Sequence, residues 1–322
     1  MPGKITMEDL AREAGCSRPQ VSRAFNGKPN VAPEVRERVL AAAKRLNYRN
    51  TANRRQIRIA VITQSVGSIY GSVILDALMK QACERNWVCH IVHEQFIHTI
   101  SDYFYDGAIS LIFNDSWARK WAEERTTPLV MVNSYGTALD KVCSVDPDSY
   151  DGSCLVLRHL KRLGHRKIAR VHIVGPGEVT YHRGQNEFLR AAAELNLGDS
   201  VRNFQFVEQS TLKSGLLSVL EQGFTAVYMI HQSLAVPAAK VILDAGYRIP
   251  EDVSLVTYEL NGISAHLMPP HTTLDFDYSA LARRALEELR LRMLGRATGG
   301  GSVLIPNILT VRGSTGLCPR KS

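Results

Sequence analysis

The sequence predicts an all-α helix-turn-helix head at the N-terminus, followed by a larger α/β core of two lobes with parallel sheets. Residues 1–58 hold 13 Lys and Arg against 5 Asp and Glu, so this short segment carries the whole formal net charge of +8 of the 322-residue chain. From residue 57 onward, short apolar runs alternate with stretches of helical periodicity, which is typical of parallel sheets flanked by helices. The charged segment and the alternation indicate two kinds of domain.

Composition excludes several other classes of protein. Hydrophobic residues make up 45% of the chain, which suits a protein with buried cores and excludes a disordered one. The apolar runs fall far short of the roughly 18 residues that a membrane-spanning helix needs, and Glu8 and Asp9 stand where a secretory signal has its apolar segment. The six cysteines form no Cys-x-x-Cys pair and no zinc-spaced set. We therefore expect a cytoplasmic protein with reduced thiols, no metal and no cofactor.

Three short helices are predicted in the head, at residues 7–14, about 18–25 and about 32–46. Thr6 precedes the first helix, and its hydroxyl can cap the first turn. Gly15 permits a left-handed exit from that helix, and Ser17 caps the second helix, which has Pro19 in its first turn. A glycine turn between the first two helices makes a helix-turn-helix unit.

The exposed face of the second helix is the predicted DNA-binding surface, because in such units this helix lies in the major groove with its N-terminal residues at the base edges. Val21 and Ala24 are expected to face inward. An arginine can donate two hydrogen bonds to guanine, and a glutamine can pair with adenine, whereas hydroxyls and lysines suit phosphate. The alternative for each residue is an ordinary exposed side chain of a small helical bundle. Base edges are assigned to Arg18, Pro19, Gln20 and Arg23; the other predicted DNA contacts are Thr6, Ser17, Ser22, Asn26 and Lys28.

Six short segments form a set with a specific order and spacing. Those of the head are residues 6–17 (TMEDLAREAGCS), 21–26 (VSRAFN) and 46–48 (LNY); those of the core are 163–169 (LGHRKIA), 245–256 (AGYRIPEDVSLV) and 269–274 (PPHTTL). This set resembles the lactose and galactose repressor (LacI/GalR) family, and the resemblance covers nearly the whole chain. It implies a sequence-specific DNA-binding transcriptional regulator, by analogy a repressor, under the control of a small-molecule effector.

The core is predicted to hold strands at residues 57–63, 88–92, 107–113, 129–132, 168–174, 204–207, 226–230 and 253–258. About 260 residues exceed what one such sheet covers, so two lobes are expected. The resemblance implies a periplasmic-binding-protein-like pair of lobes with crossovers near residues 147, 275 and 306. The implied organisation is a DNA-binding domain at 1–48, a linker at 49–56, an effector-binding and dimerisation domain at 57–315 and a tail at 316–322.

The loops beyond the carboxyl ends of the strands are the predicted effector site, because open parallel sheets bind ligands there. The resemblance implies a ligand-facing aromatic ring at Tyr70, an arginine at Arg183 and a carboxylate at Glu259. Carboxylates and amides suit the vicinal hydroxyls of a sugar, so a sugar or sugar derivative is the expected effector. The alternative for each residue is a solvated loop or a contact between lobes. The predicted effector-binding residues are Gln64, Tyr70, Arg183, His231, Gln232 and Glu259.

The linker departs from the family pattern. The family has a proline near its start and a hinge helix whose leucine wedges into the minor groove, whereas here residues 49–56 (RNTANRRQ) run almost directly into the first strand. Without an apolar wedge we expect a less bent operator. Arg54 and Arg55 are predicted to contact phosphate or a narrow groove instead, and a short linker should couple head and core more rigidly.

The resemblance also implies a homodimer on a pseudo-palindromic operator. No leucine heptad follows residue 315, so a tetramerising tail is not expected. Two other classes of protein fit part of the sequence. The glycine pair at 175–177 suggests an enzyme that binds a dinucleotide, but it lacks the full Gly-x-Gly-x-x-Gly pattern. A free-standing sugar-binding protein accounts for the core and leaves the basic head unexplained.

Overall fold

The computed structural model describes residues 5–25, 31–46, 48, 56–100, 104–112, 116–134, 139, 141–173, 182–206 and 211–319. Elements are numbered in chain order. Within these residues, no helix has the length and the apolar character that crossing a bilayer requires. The same residues contain no group of His, Cys, Asp and Glu side chains arranged to hold a metal ion.

Three helices enclose the hydrophobic core of the head: α1 (Met7–Ala14), α2 (Arg18–Phe25) and α3 (Pro33–Arg45). Thr6 and Asp9 cap α1 reciprocally, and Gly15 ends it in the left-handed conformation, with a φ of 59°. The predicted glycine turn is therefore confirmed. The buried side chains of this core are Leu10, Ala11, Ala14, Val21, Ala24, Val39, Ala42, Ala43 and Tyr48.

The first lobe is a six-stranded sheet in which every pair of neighbours is parallel. Helices α4 (Ile69–Glu84) and α10 (Tyr278–Met293) cover one face, and α5 (Ser116–Glu124) packs on the other. The strands are β1 (Ile57–Thr63), β2 (Trp87–His93), β3 (Gly107–Ser110), β4 (Leu129–Val132), β5 (Cys143–Pro147) and β11 (Gly301–Ile305), in the order β11-β5-β4-β3-β1-β2.

The second lobe repeats this architecture with one antiparallel edge strand. Helices α6 (Ser149–Arg162) and α7 (His182–Glu194) cover one face, and α8 (Leu212–Glu221) and α9 (Ala235–Asp244) the other. The strands are β6 (Ile168–Ile173), β7 (Val201–Phe206), β8 (Ala226–Met229), β9 (Ser254–Tyr258), β10 (Thr272–Phe276) and β12 (Asn307–Thr310), in the order β12-β10-β9-β8-β6-β7 with β12 antiparallel to β10.

The chain passes between the two sheets three times. It leaves the first lobe between β5 and α6, returns between β10 and α10, and leaves again at Pro306 between β11 and β12. Asp148 caps α6 through the amides of Tyr150 and Asp151, and Asp277 caps α10 through the amide of Ala280. Both helices therefore begin directly at a crossover.

The structure corrects three boundaries. The strand predicted at 107–113 ends at Ser110, whose hydroxyl accepts a hydrogen bond from the Ile112 amide at 3.0 Å. Tyr70, predicted to lie in a loop beyond a strand, lies instead in the first turn of α4, because Ser68 caps that helix. Residues 316–318, predicted as part of a tail, belong to the second lobe: the Gly316 amide donates to Ser254 Oγ at 3.0 Å and the Cys318 amide to the Leu163 carbonyl at 2.8 Å.

Candidate DNA-binding and effector sites

The exposed face of α2 presents the residues predicted to read bases. Val21 and Ala24 are buried against α1 and α3, which fixes the rotation of the helix about its axis. The first turn of α2 is therefore open to a major groove. The exposed residues of this face are Arg18, Pro19, Gln20 and Arg23.

Arg18 makes an ion pair with α1, where its Nη1 lies 3.0 Å from Glu8 Oε1. Both side chains are more than half exposed, so the contact contributes at most about 1 kcal/mol and is screened by salt. The guanidinium can exchange this carboxylate for a base edge at little cost.

Gln20 has a different role in the structure from the predicted adenine contact. Its Oε1 accepts hydrogen bonds from the Ser17 amide at 2.9 Å and from Ser17 Oγ at 3.0 Å, which closes the N-terminus of α2. Thr6 is likewise engaged in capping α1, with its hydroxyl 2.7 Å from Asp9 Oδ2. The hydrogen bonds from Thr6 hold the carboxyl pKa of Asp9 below its ordinary value, and the one from the Thr6 side chain has the largest effect. Gln20, Ser17 and Thr6 thus build the ends of the two helices.

Four predicted DNA contacts, Asn26, Lys28, Arg54 and Arg55, lie outside the described residues. Ser22 is half-buried on α2. Their assignment to phosphate remains a prediction from the sequence.

A cleft of two adjoining chambers separates the lobes at the crossovers. Both chambers are bordered by Asn133, Pro147 and Ser149. The first chamber is the smaller, with a cavity volume of about 40 Å³, and its further lining residues are Ser153, Arg170, Gly184, Tyr228, Ile230, Tyr258, Leu274, Phe276 and Asn307. The second chamber has a cavity volume of about 260 Å³, and its further lining residues are Asp146, Asp148, Tyr150, Glu187, Arg190 and Leu304.

The cleft forms where the sequence interpretation expects it, beyond the carboxyl ends of the strands. Asn133 follows β4, Pro147 ends β5, Ile230 follows β8, and Tyr258 and Phe276 end β9 and β10. All three crossovers also border the first chamber, through Pro147 and Ser149, through Phe276, and through Asn307. A ligand in this chamber would therefore touch every connection between the lobes.

None of the described residues among the predicted effector contacts lines either chamber. Gln64 is exposed and donates to Glu94 Oε2 at 2.8 Å, on the first lobe. Tyr70 packs edge-on to Phe276, with ring centroids 6.2 Å apart, and so lies behind a lining residue. His231 is exposed, with Nδ1 2.8 Å from Ser233 Oγ. The side chain of Arg183 lies outside the described residues; its neighbour Gly184 borders the first chamber.

Glu259, expected to bind ligand hydroxyls, has both carboxylate oxygens occupied by protein donors. Oε1 accepts from the backbone amides of residues 260, 262 and 264 at 2.9–3.3 Å. Oε2 accepts from Thr273 Oγ1 at 3.2 Å and from Arg312 Nη2 at 2.9 Å. Burial acts to raise the carboxyl pKa of Glu259, but these hydrogen bonds and the Arg312 charge outweigh it and the pKa is lowered. The side chain organises a loop and is not available to a ligand.

Gln232 joins the two lobes. Its Nε2 donates to the Glu259 carbonyl at 3.1 Å within the second lobe, and it lies 2.9 Å from the hydroxyl of Tyr278. Tyr278 begins α10 and is part of the core of the first lobe. The predicted effector contact is therefore, in this structure, a contact between lobes, which is the alternative that the sequence left open.

Arg170 is the lining residue that the sequence analysis missed and that has the clearest sequence signal. It is an arginine in strand β6, whose other residues except His172 are apolar, and it is 4% exposed. Its Nη1 donates to Asn203 Oδ1 on the neighbouring strand β7 at 2.6 Å, and its guanidinium lies over the Phe188 ring at 5.9 Å. A charge inside a buried strand is costly and rarely without a use.

The carboxylate of Asp146 has a structural role near the cleft, and that of Asp275 is partly buried. Asp146 accepts hydrogen bonds from the Ser134 amide, Ser144 Oγ and Ser302 Oγ at 2.6–2.8 Å, which ties three segments of the first lobe together. Asp275 lies at the second crossover, where burial raises its carboxyl pKa to about 7.

Comparison with known families agrees with both parts of this description. Residues 6–50 match the family model of bacterial regulatory proteins of the lacI family, and residues 157–315 match that of a periplasmic binding protein-like domain. Together these two matches span well over half of the chain. An uncharacterised HTH-type transcriptional regulator from Streptomyces limosus is 27% identical over 98% of this chain and 95% of its own length. The ribose operon repressor of Haemophilus influenzae is 27% identical over 89% of this chain and 92% of its own length.

Solved structures share the fold over nearly the full length. A complex of the transcriptional regulator CelR with cellobiose has a TM-score of 0.68 at 24% identity and covers 96% of this chain and 99% of its own. The lac repressor dimer bound to operator and an anti-inducer has a TM-score of 0.68 at 23% identity, covering 98% of this chain and 100% of its own. At this identity the likeness shows the fold, a helical head joined to a two-lobed α/β core.

Proposed function

This chain belongs to the LacI/GalR family of DNA-binding transcriptional regulators, and from that premise we propose that it binds a two-fold symmetric operator through α2 and responds to a small molecule in the cleft between its lobes. It is a regulator and not an enzyme. Since its target is bacterial DNA, it acts in the cytoplasm.

The exposed face of α2 supports the DNA-binding role. Arg18 and Arg23 stand on the side of α2 opposite the buried Val21 and Ala24, within the segment that carries all the excess positive charge of the chain. A short helix that presents two guanidinium groups on a basic domain suits recognition of guanine in a major groove.

The position of the cleft supports the effector role. A ligand that touches all three crossovers has different contacts in an open and a closed arrangement of the lobes, and only such a difference can shift a conformational equilibrium. Polar groups together with the rings of Tyr228, Tyr258 and Phe276 suit a sugar-like compound, with hydroxyls on one side and an apolar face on the other. A relative named as a ribose operon repressor and a neighbour solved with cellobiose are consistent with this class.

A homodimer follows from the same proposal. One head of three short helices contacts few bases, and a second head on the same particle raises the effective concentration at an adjacent half-site. The lac repressor neighbour was solved as a dimer on its operator.

The test is selection of bound sequences from random double-stranded DNA by the full-length protein. We expect a pseudo-palindrome, and an affinity whose logarithm falls against log salt with a slope of about −0.9 per phosphate contacted. The variant Arg18→Ala/Arg23→Ala is the matched control and should enrich no such sequence. If the unaltered protein retains all duplexes equally, the proposed function is wrong.

A further inference from the structure

The first chamber of the cleft has one charged lining residue among those that the structure describes, and that residue is Arg170. The other lining side chains are serines, asparagines, tyrosines and apolar groups. A guanidinium buried in a protein attracts an anion more strongly than one in water, because the surroundings screen its charge less. The chamber is therefore electrostatically suited to a negative group.

The position of α7 adds to this preference. Gly184 lies in the first turn of α7 and borders the same chamber. The free amides at the start of a helix and its dipole favour an anion. At the N-terminus of the neighbouring helix α6, a carboxylate of the protein already occupies the free amides, because Asp148 accepts hydrogen bonds from those of Tyr150 and Asp151.

Glycine at position 184 leaves room for the guanidinium. A Cβ atom at this position would lie 3.3 Å from Arg170 Nη2, which is closer than ordinary packing. The Arg170–Asn203 hydrogen bond of 2.6 Å holds the other end of the guanidinium, at Nη1, against β7. The side chain is thus positioned by two elements of the second lobe instead of extending freely into solvent.

Asn307 supplies a second, independent feature. Its side chain is 8% exposed, and Nδ2 donates to the Asp148 carbonyl at 2.6 Å, which fixes the orientation of the carboxamide. The buried Oδ1 has no hydrogen-bond partner among the described residues, and Asn307 is one of the residues that line the chamber. A buried acceptor without a partner is costly, and a ligand hydroxyl would satisfy it.

We propose that the effector is a polyhydroxy compound with an anionic group, a carboxylate or a phosphate, and that Arg170 binds this group while Asn307 accepts a hydrogen bond from a hydroxyl. This inference rests on the proposed function, since it names the chemical class of the effector in the same cleft. Arg170 belongs to the second lobe and Asn307 to the third crossover, so a compound that bridges them links the lobe to its hinge.

Matched pairs of acidic and neutral sugars test the inference by calorimetric titration of the full-length protein. The pairs are glucuronate with glucose, cellobionate with cellobiose, and ribose 5-phosphate with ribose. We expect the acidic member of at least one pair to bind at least ten-fold more tightly than its neutral partner. The two carboxylate pairs and the phosphate pair distinguish the sources of the charge. If no acidic member binds more tightly than its neutral partner, the inference is wrong.

Variants assign the preference to Arg170. Arg170→Met should reduce the preference for the acidic over the neutral sugar to less than three-fold. Arg158→Met, which removes an exposed charge from α6 of the same lobe, should leave this preference unchanged. Binding of the anion at the basic head would survive Arg170→Met, and that result would overturn the assignment. Should Arg170→Met not fold, Arg170→Lys and Gly184→Ala serve instead, and each should weaken the acidic sugar about three- to ten-fold and the neutral sugar by less; equal losses for both sugars would also overturn it.

Operator binding is measured on the same samples. The control Arg158→Met should bind the selected operator in the absence of ligand as tightly as the unaltered protein. If an operator is enriched and the acidic preference is missing, only this inference fails. If no operator is enriched, the proposed function fails, whatever sugars bind.

Discussion

Arg312 donates from Nη2 to Glu259 Oε2 at 2.9 Å, so an ion pair links the loop after β9 to the segment that follows β12. Arg312 also donates from Nη1 to the His271 carbonyl at 2.8 Å and to Thr273 Oγ1 at 2.9 Å. Glu259, which the family resemblance suggests as a ligand contact, therefore stabilises the second lobe.

Replacing Glu259 tests this structural role. Glu259→Gln leaves the largely buried guanidinium without its counter-charge and is expected to lower the free energy of unfolding by about 3 kcal/mol. Denaturant unfolding measures this loss, and effector affinity in the folded fraction should stay within three-fold. A stable variant that no longer binds any effector would contradict the structural role and restore Glu259 to the ligand site.

Asp275 is expected to make stability depend on pH. Burial raises its carboxyl pKa from the ordinary value of 3.8 to about 7 in the folded protein, and the charges of Glu259 and Asp277 add to the rise. Between these values the unfolded chain releases a proton that the folded chain keeps, so the contribution of Asp275 to stability is lost as pH rises from about 4 to about 7. Asp275→Asn cannot ionise, and its Tm relative to the unaltered protein should rise by a few degrees, about 3 °C or more, between pH 5 and pH 8.

Asp252→Asn is the matched control for this experiment. Hydrogen bonds from Arg248 lower the carboxyl pKa of Asp252 to about 2, so it is ionised in both states throughout that range. Its Tm difference from the unaltered protein should be constant from pH 5 to pH 8. A constant difference for Asp275→Asn as well would show that Asp275 is ionised in the folded protein.

Gln20 is expected to stabilise the N-terminus of α2 and not to contact a base. Gln20→Ala removes the acceptor for the Ser17 amide, so exchange of that amide with solvent, followed by NMR, should become about five-fold faster, the equivalent of about 1 kcal/mol. Gln20→Glu keeps an acceptor at the same place and should preserve the slow exchange. Unchanged exchange in Gln20→Ala, together with a lost adenine in the selected operator, would instead support base reading by Gln20.

Arg18 is expected to determine one position of the operator. Arg18→Ala should cost about 1–3 kcal/mol of binding free energy and relax the preference for one base pair in each half-site. Lys28→Ala, predicted from the sequence to remove a phosphate contact, should weaken all duplexes about equally and reduce the salt slope by about one phosphate. Both affinities can be measured by fluorescence anisotropy on the selected operator and on variants of it. Equal losses for Arg18→Ala on every duplex would contradict its role in base recognition.

The sequence alone determined the fold class and the organisation of the head. Local signals determine these features. Thr6 and Gly15 mark the two ends of α1, and the spacing of Val21 and Ala24 sets the buried face of α2. Apolar runs mark most of the central strands. Such signals act within a few residues, so they can be read from the chain directly.

Tertiary structure decided which side chains face the cleft. Strands β5, β10, β11 and β12 were not predicted as strands, and the residues at their ends, including Pro147, Phe276 and Asn307, border the first chamber. Glu259 and Gln232 stand where the sequence places a ligand contact, yet Arg312 and Tyr278, distant in sequence, bind them instead. A side chain's partner depends on which segments pack beside it, and segments that are distant in sequence leave no periodic pattern from which that choice could be inferred.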